Sequence, residues 1–175
     1  MPSSSDSGAR PLQRSERFGR CGERVNGDEE TMERKLTGSC LCGACEVIIR
    51  PAEDKMHACH CDMCRAWTGS SLMAVKVLPG DLEAKGPVRT RATSAWAERG
   101  WCDDCGSSLF YRVTAPGPYQ GVTHVASGLF KNAGGLMLAS EIYTDYRPDG
   151  YAFAGELHGM TEAEVMARFA EEDGA

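Results

Sequence analysis

Apolar residues come in short runs from Leu36 onward, and glycine and proline separate the runs. The runs are rich in β-branched and aromatic residues, which predicts strands. Turn signals such as Pro79-Gly80 and Gly134-Gly135 fall between them and favour mostly antiparallel sheets over alternating strand–helix units. The predicted strands cover residues 45–50, 72–77, 88–93, 97–102, 107–113, 122–126 and 139–143.

One helix is predicted at the C-terminal end of the chain. Thr161 and Glu164 have the spacing of a capping box. A shorter helical turn is expected over residues 62–67, and an irregular segment over 141–155. The apolar face of the C-terminal helix is predicted to consist of Val165, Met166, Phe169 and Ala170.

The first 35 residues differ from the rest in composition. They hold seven basic and seven acidic residues but few large apolar ones, so we expect residues 1–35 to form a disordered tail and residues 36–175 the folded domain. Cys21 lies in this tail with no cysteine or histidine close by, which indicates a bystander thiol.

Cysteine is the most informative part of the composition, with nine residues in a chain of 175. There is no apolar run of about 18 residues and no apolar signal core, so we expect a soluble, cytoplasmic protein without a membrane partner. Disulfides are disfavoured in a reducing compartment, so closely spaced cysteines indicate metal or thiol chemistry. The net charge of −6 opposes binding to nucleic acid.

One cysteine group has the pattern Cys102-x-x-Cys105-Gly, in which a tight turn places two thiolates on the same side. Such a pair provides half of a tetrahedral zinc site and needs a second pair from elsewhere in the chain. Cys40 and Cys42 are the best partners. The sequence therefore predicts a closed, structural zinc site formed by Cys40, Cys42, Cys102 and Cys105.

A second group, Cys59, Cys61 and Cys64, provides three ligands and leaves a fourth position open. An open position is typical of catalytic zinc, and a thiolate substrate suits a sulfur-rich site. Alternatively, a fourth protein ligand closes this site, the candidates being His57, His60, His124 and Cys45. His60 is expected to be packed or solvent-facing, and Cys45, which alternates with Val47 and Ile49, to be a buried small apolar residue. The spacings of iron–sulfur proteins are absent, so zinc is preferred.

Three ordered motifs carry a family resemblance: Gly-Ser-Cys-Leu-Cys-Gly at 38–43, Cys-His-Cys-Asp-Met-Cys-Arg at 59–65 and Trp-Cys-Asp-Asp-Cys-Gly at 101–106. Together they resemble the glutathione-dependent formaldehyde-activating enzyme family. The resemblance implies a mainly β fold, the β-tent or Mss4-like arrangement of small antiparallel sheets around zinc. It also implies two zinc ions, with structural ligands at Cys40, Cys42, Cys102 and Cys105 and catalytic ligands at Cys59, Cys61 and Cys64.

The activity implied by the resemblance is the making and breaking of a carbon–sulfur bond, in which glutathione adds to formaldehyde to form S-hydroxymethylglutathione. Our hypothesis is that the thiol sulfur takes the open position on the three-cysteine zinc and attacks the aldehyde carbon. Another thiol or another small aldehyde is an alternative. Arg65 is a candidate contact for a substrate carboxylate, or else forms a surface salt bridge.

Two other classes of function compete with the enzyme. A non-enzymatic zinc-stabilised binding or chaperone-like module predicts two fully protein-ligated metals and a broad exposed apolar patch. A metal-storage or redox-sensing protein predicts exchangeable metal and readily oxidised cysteines.

Overall fold

The computed structural model describes residues 34–173, and of these the side chains of residues 34–171. Almost all of the predicted tail, including Cys21, lies outside the described residues. The described part contains eleven strands and two helices. They are β1 (Leu36–Ser39), β2 (Glu46–Ile49), β3 (Lys55–Cys59), α1 (Asp62–Thr68), β4 (Leu72–Val77), β5 (Leu82–Lys85), β6 (Val88–Ala92), β7 (Ala97–Cys102), β8 (Ser108–Val113), β9 (Thr123–Ala126), β10 (Met137–Ile142), β11 (His158–Met160) and α2 (Glu162–Asp173).

The strands form two sheets. The smaller sheet has the order β1-β2-β5, and the larger has the order β11-β10-β3-β4-β9-β8-β7-β6. All pairings are antiparallel except those of β10 with β3 and with β11, which are parallel. The predicted mainly β fold with a C-terminal helix is confirmed. Seven of the nine described strand pairings are antiparallel, as predicted, and the larger sheet, which has eight strands, adds two parallel pairings to the expected arrangement.

The main apolar core lies between the two sheets. Val47 and Ile49 of β2 are fully buried against β4, β8 and β9, which contribute Val75, Leu109 and Val125. Burying each of these side chains contributes about 1.5 to 3 kcal/mol. The core therefore holds β2, which follows the first cysteine pair, against β8, which follows the second.

Glycines in left-handed conformations make the two tight turns that carry these pairs. Gly43, with φ +80°, donates its backbone N–H to the carbonyl of Cys40 at 3.1 Å. Gly106, with φ +74°, donates to the carbonyl of Cys102 at 2.9 Å. A residue with a side chain is strained in this conformation, so both turns need glycine.

The helices follow the predictions with one exception. The capping box of α2 is confirmed, since Thr161 N–H donates to Glu164 Oε2 at 2.7 Å, and the predicted turn over residues 62–67 is the helix α1. The prediction for the apolar face of α2 is only partly confirmed. Val165 is buried, but Met166 is 55% and Phe169 42% exposed, and Ala170 is exposed as well. The segment after β10 is irregular apart from one short 3₁₀ turn, as expected.

Within residues 34–173, neither helix combines the length and the apolar character that a bilayer-spanning helix requires.

Candidate metal centres

The four predicted ligands of the closed site come together at the end of both sheets. Their Sγ atoms all lie within 4.8 Å of one another, with 3.5 Å between Cys40 and Cys42 and 3.8 Å between Cys42 and Cys102. A tetrahedral zinc with Zn–S bonds of about 2.3 Å would hold its sulfurs about 3.8 Å apart. A disulfide needs about 2.05 Å, and all four thiols are free. The set of Cys40, Cys42, Cys102 and Cys105 therefore fits a tetrahedral ion.

Hydrogen bonds favour the thiolate form at two of these sulfurs, those of Cys40 and Cys105, whereas the pKa of the Cys42 thiol is raised to about 12. The backbone N–H of Cys45 donates to Cys40 Sγ at 3.1 Å and lowers the pKa of the Cys40 thiol. The Ser107 hydroxyl lies 3.2 Å from Cys105 Sγ, and hydrogen bonding from Ser107 lowers the pKa of the Cys105 thiol to about 5. Because metals bind the thiolate, these bonds prepare the site for an ion.

Cys45 does not join the four sulfurs as a member of the set. Its side chain is 0% exposed and lies in the apolar core with Val47 and Ile49. The prediction of a buried small apolar residue is confirmed, and burial raises the pKa of its thiol to about 12.

The second set of sulfurs lies at the corner between β3 and α1. Cys59 is the last residue of β3, Cys61 is the N-cap of α1, and Cys64 lies in the first turn of the helix. The three Sγ atoms lie within 4.8 Å of one another, and the backbone N–H of Cys64 donates to Cys61 Sγ at 3.4 Å. The helical turn after Cys61 thus brings Cys64 back to the same side as Cys61.

The three thiols oppose one another's ionisation when no metal is bound. Hydrogen bonds from Cys59 and Cys64 lower the pKa of the Cys61 thiol to about 2. At Cys59, the contacts with Cys61 and Cys64, together with burial, raise the pKa of the thiol. One thiolate is stabilised at its neighbours' expense, because a second negative charge so close is repelled. A bound divalent ion removes this repulsion, so the donor set fits a soft metal.

Each possible histidine ligand is occupied elsewhere or lies outside the set. His60 is 0% exposed, and its ring nitrogens contact Glu141 Oε2 at 3.0 Å and the Tyr151 hydroxyl at 3.2 Å. This confirms the packed histidine predicted for position 60. The ring nitrogens of His57 contact Ser140 at 2.7 Å and Glu53 at 3.0 Å.

His124 is partly buried, and burial lowers its pKa to about 4, so its ring is neutral at pH 7. Of the described histidines, cysteines and carboxylates, none joins the three-cysteine set as a fourth ligand.

Two residues that the sequence reasoning missed lie beside the three cysteines. Arg99 of β7 is 2% exposed, with Nη2 3.6 Å from Cys64 Sγ. Tyr143 follows Ile142, which is paired with Cys59, and has a left-handed backbone with φ 58°. Burial, with the negative charges of Cys59 and Cys61 nearby, raises the pKa of Tyr143 to about 12. Strained backbone in a bulky residue is typical of functional sites.

The guanidinium of Arg65 makes two contacts with other residues of the chain. Its Nη2 pairs with Asp62, and its Nε donates to the carbonyl of His60 at 2.8 Å. This is the surface salt bridge given as the alternative to a substrate contact. An open groove of about 470 Å³ borders Arg65 and Tyr151. Asp62 and Ala66, which also line it, are each two helical positions from Cys64 and so lie on the opposite face of α1 from this sulfur.

Residues 35–146 match the model of the family described as glutathione-dependent formaldehyde-activating enzyme. The chain belongs to this family. The family match contains all seven cysteines of the two sets and ends before β11 and α2.

Relatives of this family member include a lyase of Schizosaccharomyces pombe, named as uncharacterized, which is 33% identical over 132 residues. That alignment covers 74% of the present chain and 93% of the relative. A Phaeosphaeria nodorum protein provisionally named a glutathione-dependent formaldehyde-activating enzyme is 31% identical over 105 residues, or 58% of this chain and 55% of that protein. A crystal structure of a Rhodobacter sphaeroides protein matches with a TM-score of 0.47 and 17% identity, covering 72% of this chain and all of that one.

Proposed function

We propose that this protein is a zinc-dependent carbon–sulfur lyase that joins glutathione, or a similar thiol, to formaldehyde or another small aldehyde, and catalyses the reverse cleavage. Family membership and the lyase name of the yeast relative support a lyase at this coarse level. The observation that carries the proposal is the pair of sulfur sets: one has four members, and the other has three with no fourth among the described residues.

In the proposed reaction the thiol sulfur bonds to the aldehyde carbon while the carbon–oxygen π bond opens. The thiol proton ends on the aldehyde oxygen, so S-hydroxymethylglutathione forms from glutathione and formaldehyde without an added oxidant or reductant. A zinc ion held by Cys59, Cys61 and Cys64 supplies a Lewis-acid position that favours the thiolate form of the thiol.

Residues of this chain have separate parts in that scheme. Cys59, Cys61 and Cys64 would hold the ion, and β3 and α1 fix the positions of these cysteines before substrate arrives. Tyr143, whose pKa is raised to about 12, has a protonated hydroxyl at pH 7, as any tyrosine does, and this hydroxyl is able to donate a hydrogen bond to an oxygen that gains negative charge. The fixed geometry limits the reorganisation needed when sulfur and carbon meet.

The four-cysteine set has a structural role in this proposal. Cys40 and Cys42 come from the corner of the smaller sheet, and Cys102 and Cys105 from the β7–β8 corner of the larger sheet. A zinc with four protein sulfurs has no open position for substrate. We therefore assign this set to folding and the three-cysteine set to chemistry.

The test follows exchange between formaldehyde and glutathione by NMR, with zinc counted in each protein. We expect the native protein to accelerate exchange and to hold two zinc ions per chain. Cys64→Ser should lose the acceleration and one zinc but keep its fold by circular dichroism. Cys45→Ala is the matched control, since it removes a cysteine that belongs to neither set, and it should behave like the native protein.

An exchange rate that does not change on adding the native protein would reject formaldehyde and glutathione as substrates. If both zinc ions were also retained in Cys64→Ser, the three-cysteine site itself would be wrong, and the non-enzymatic binding module would replace the lyase.

A further inference from the structure

Arg99 is a buried cation next to the three-cysteine set. Its Nη2 lies 3.6 Å from Cys64 Sγ, a hydrogen-bonding distance for sulfur, which is larger than oxygen. The guanidinium also lies 5.0 Å from the ring centre of Tyr111 and 5.8 Å from that of Trp67. Three elements, α1, β7 and β8, therefore fix its position.

The choice of partner sets Arg99 apart from most other arginines of the described chain. None of the described carboxylates lies at ion-pair distance from Arg99, whereas six other arginines pair with an aspartate or glutamate. These are Arg34, Arg50, Arg65, Arg89, Arg112 and Arg147.

A buried charge without a counter-charge is strongly unfavourable. The Cys64 sulfur is the contact through which Arg99 faces the three-cysteine set, whose charge is negative once the set holds a divalent ion. Aromatic faces on Tyr111 and Trp67 add cation–π attraction but no net negative charge.

Charge counting shows what Arg99 changes at the site. Three thiolates and one divalent ion sum to −1, and Arg99 brings the total to zero. If the fourth ligand is an anion, such as a thiolate, the net charge of the site with Arg99 becomes only −1. Without Arg99 the same ligand would give a buried charge of −2, which a low-dielectric site disfavours.

We propose that Arg99 is a positioning residue of the three-cysteine site, which holds the Cys64 sulfur in place for the metal through their contact and lowers the cost of an anionic sulfur as the fourth ligand. The identity of that sulfur as a substrate thiol rests on the proposed function. The effect of Arg99 on the metal does not.

The first experiment compares zinc release from the zinc-loaded full chain to a chromophoric chelator in Arg99→Met, Arg99→Lys and Arg91→Met. Arg99→Met keeps an unbranched, flexible side chain in the buried position and removes the guanidinium with its charge. We expect it to weaken zinc binding at one of the two sites by about 10- to 100-fold, the effect of losing a hydrogen bond between charged groups.

The two other variants serve as controls. Arg99→Lys keeps the charge and should stay within about threefold of the native protein. Arg91 lies directly opposite Arg99 on β6 but is exposed, so Arg91→Met should not change zinc release. Native zinc release from Arg99→Met, or equal weakening in Arg99→Met and Arg99→Lys, would overturn the proposal. If Arg99→Met failed to fold, Arg99→Gln, which is also uncharged but keeps a polar donor, would take its place, and native zinc release from that variant would equally overturn the proposal.

The second experiment measures binding of glutathione and of S-methylglutathione, which has no thiol, to the zinc-loaded proteins by calorimetry. Arg99→Met should weaken the binding of glutathione by about tenfold or more. The affinity for S-methylglutathione should stay unchanged in this variant, because a thioether sulfur carries no negative charge. Equal affinity of native protein and Arg99→Met for glutathione would overturn the proposed effect of Arg99 on an anionic fourth ligand. If the native protein bound no glutathione, the proposed substrate would be wrong, and the zinc-release comparison would still decide the role of Arg99 at the metal.

Discussion

Cys45 and Cys64 occupy the same position in two identical spacings, since 40, 42 and 45 repeat the intervals of 59, 61 and 64. The backbone after the second cysteine gives them different environments. Cys61 caps α1, so Cys64 returns to its side one helical turn later. After Cys42 the chain turns at Gly43 and enters β2, which sends Cys45 into the core. Spacing alone cannot separate a helical turn from a turn followed by a strand.

Cys45→Ala tests this difference at the scale of one residue. We expect a loss of about 1 kcal/mol in the free energy of unfolding, because a small buried group is removed without opening a large cavity. Two zinc ions per chain should remain. Urea denaturation and metal analysis measure the two quantities, and loss of one zinc would show that Cys45 is a ligand after all.

Arg99 shows a second limit of reading residues one by one. An arginine in a predicted strand is usually assigned to the solvent face, and the only sequence signal for burial here is its alternation with Ala97, which is also buried. The residues that surround it, Cys64, Trp67 and Tyr111, are between 12 and 35 positions away in the sequence. The contact between Arg99 and Cys64 could therefore be identified only from the tertiary structure.

At the scale of elements, strands with strong local signals were predicted well. The bounds of β4 and β7 agree with the prediction, and those of β2, β6, β8, β9 and β10 differ by one or two residues at an end. Four strands were missed: β1, β3, β5 and β11. These have three to five residues, and much of each is exposed or only partly buried, so pairing with neighbours rather than their own pattern makes them strands.

Gly100 of β7 shows how closely two neighbouring strands approach. A Cβ atom at this position would lie 2.4 Å from Cζ of Phe110 on β8, so Gly100→Ala must displace the ring or the strand. We expect a loss of about 1 to 3 kcal/mol in the free energy of unfolding, as for other overpacked sites.

Gly128→Ala is the matched control, since nothing lies within 4 Å of an added Cβ there and φ is not left-handed. It should be neutral or slightly stabilising. Urea unfolding midpoints of both variants make the comparison, and equal midpoints would contradict the close approach of β7 and β8.

For the whole molecule, the four-cysteine set links the corners of two sheets that share one core. Cys105→Ser should remove one zinc and lower the free energy of unfolding by more than about 3 kcal/mol, since a structural zinc contributes on the order of 10 kcal/mol to small domains. Cys64→Ser should also remove one zinc but have a smaller effect on unfolding. Metal analysis with urea denaturation separates the two sites, and equal destabilisation by both changes would reject the division into structural and catalytic sets.

Local spacing was sufficient to divide seven cysteines into sets of four and three, because tight turns and single helical turns place nearby thiols together whatever the rest of the chain does. The same holds for the capping box of α2 and for the strands with strong apolar signals. Tertiary structure alone placed Arg99 against Cys64 and paired β10 in parallel with β3. Each of these depends on contacts between distant segments, whose energies come from burial and charge in the assembled fold and leave no periodic pattern in the sequence.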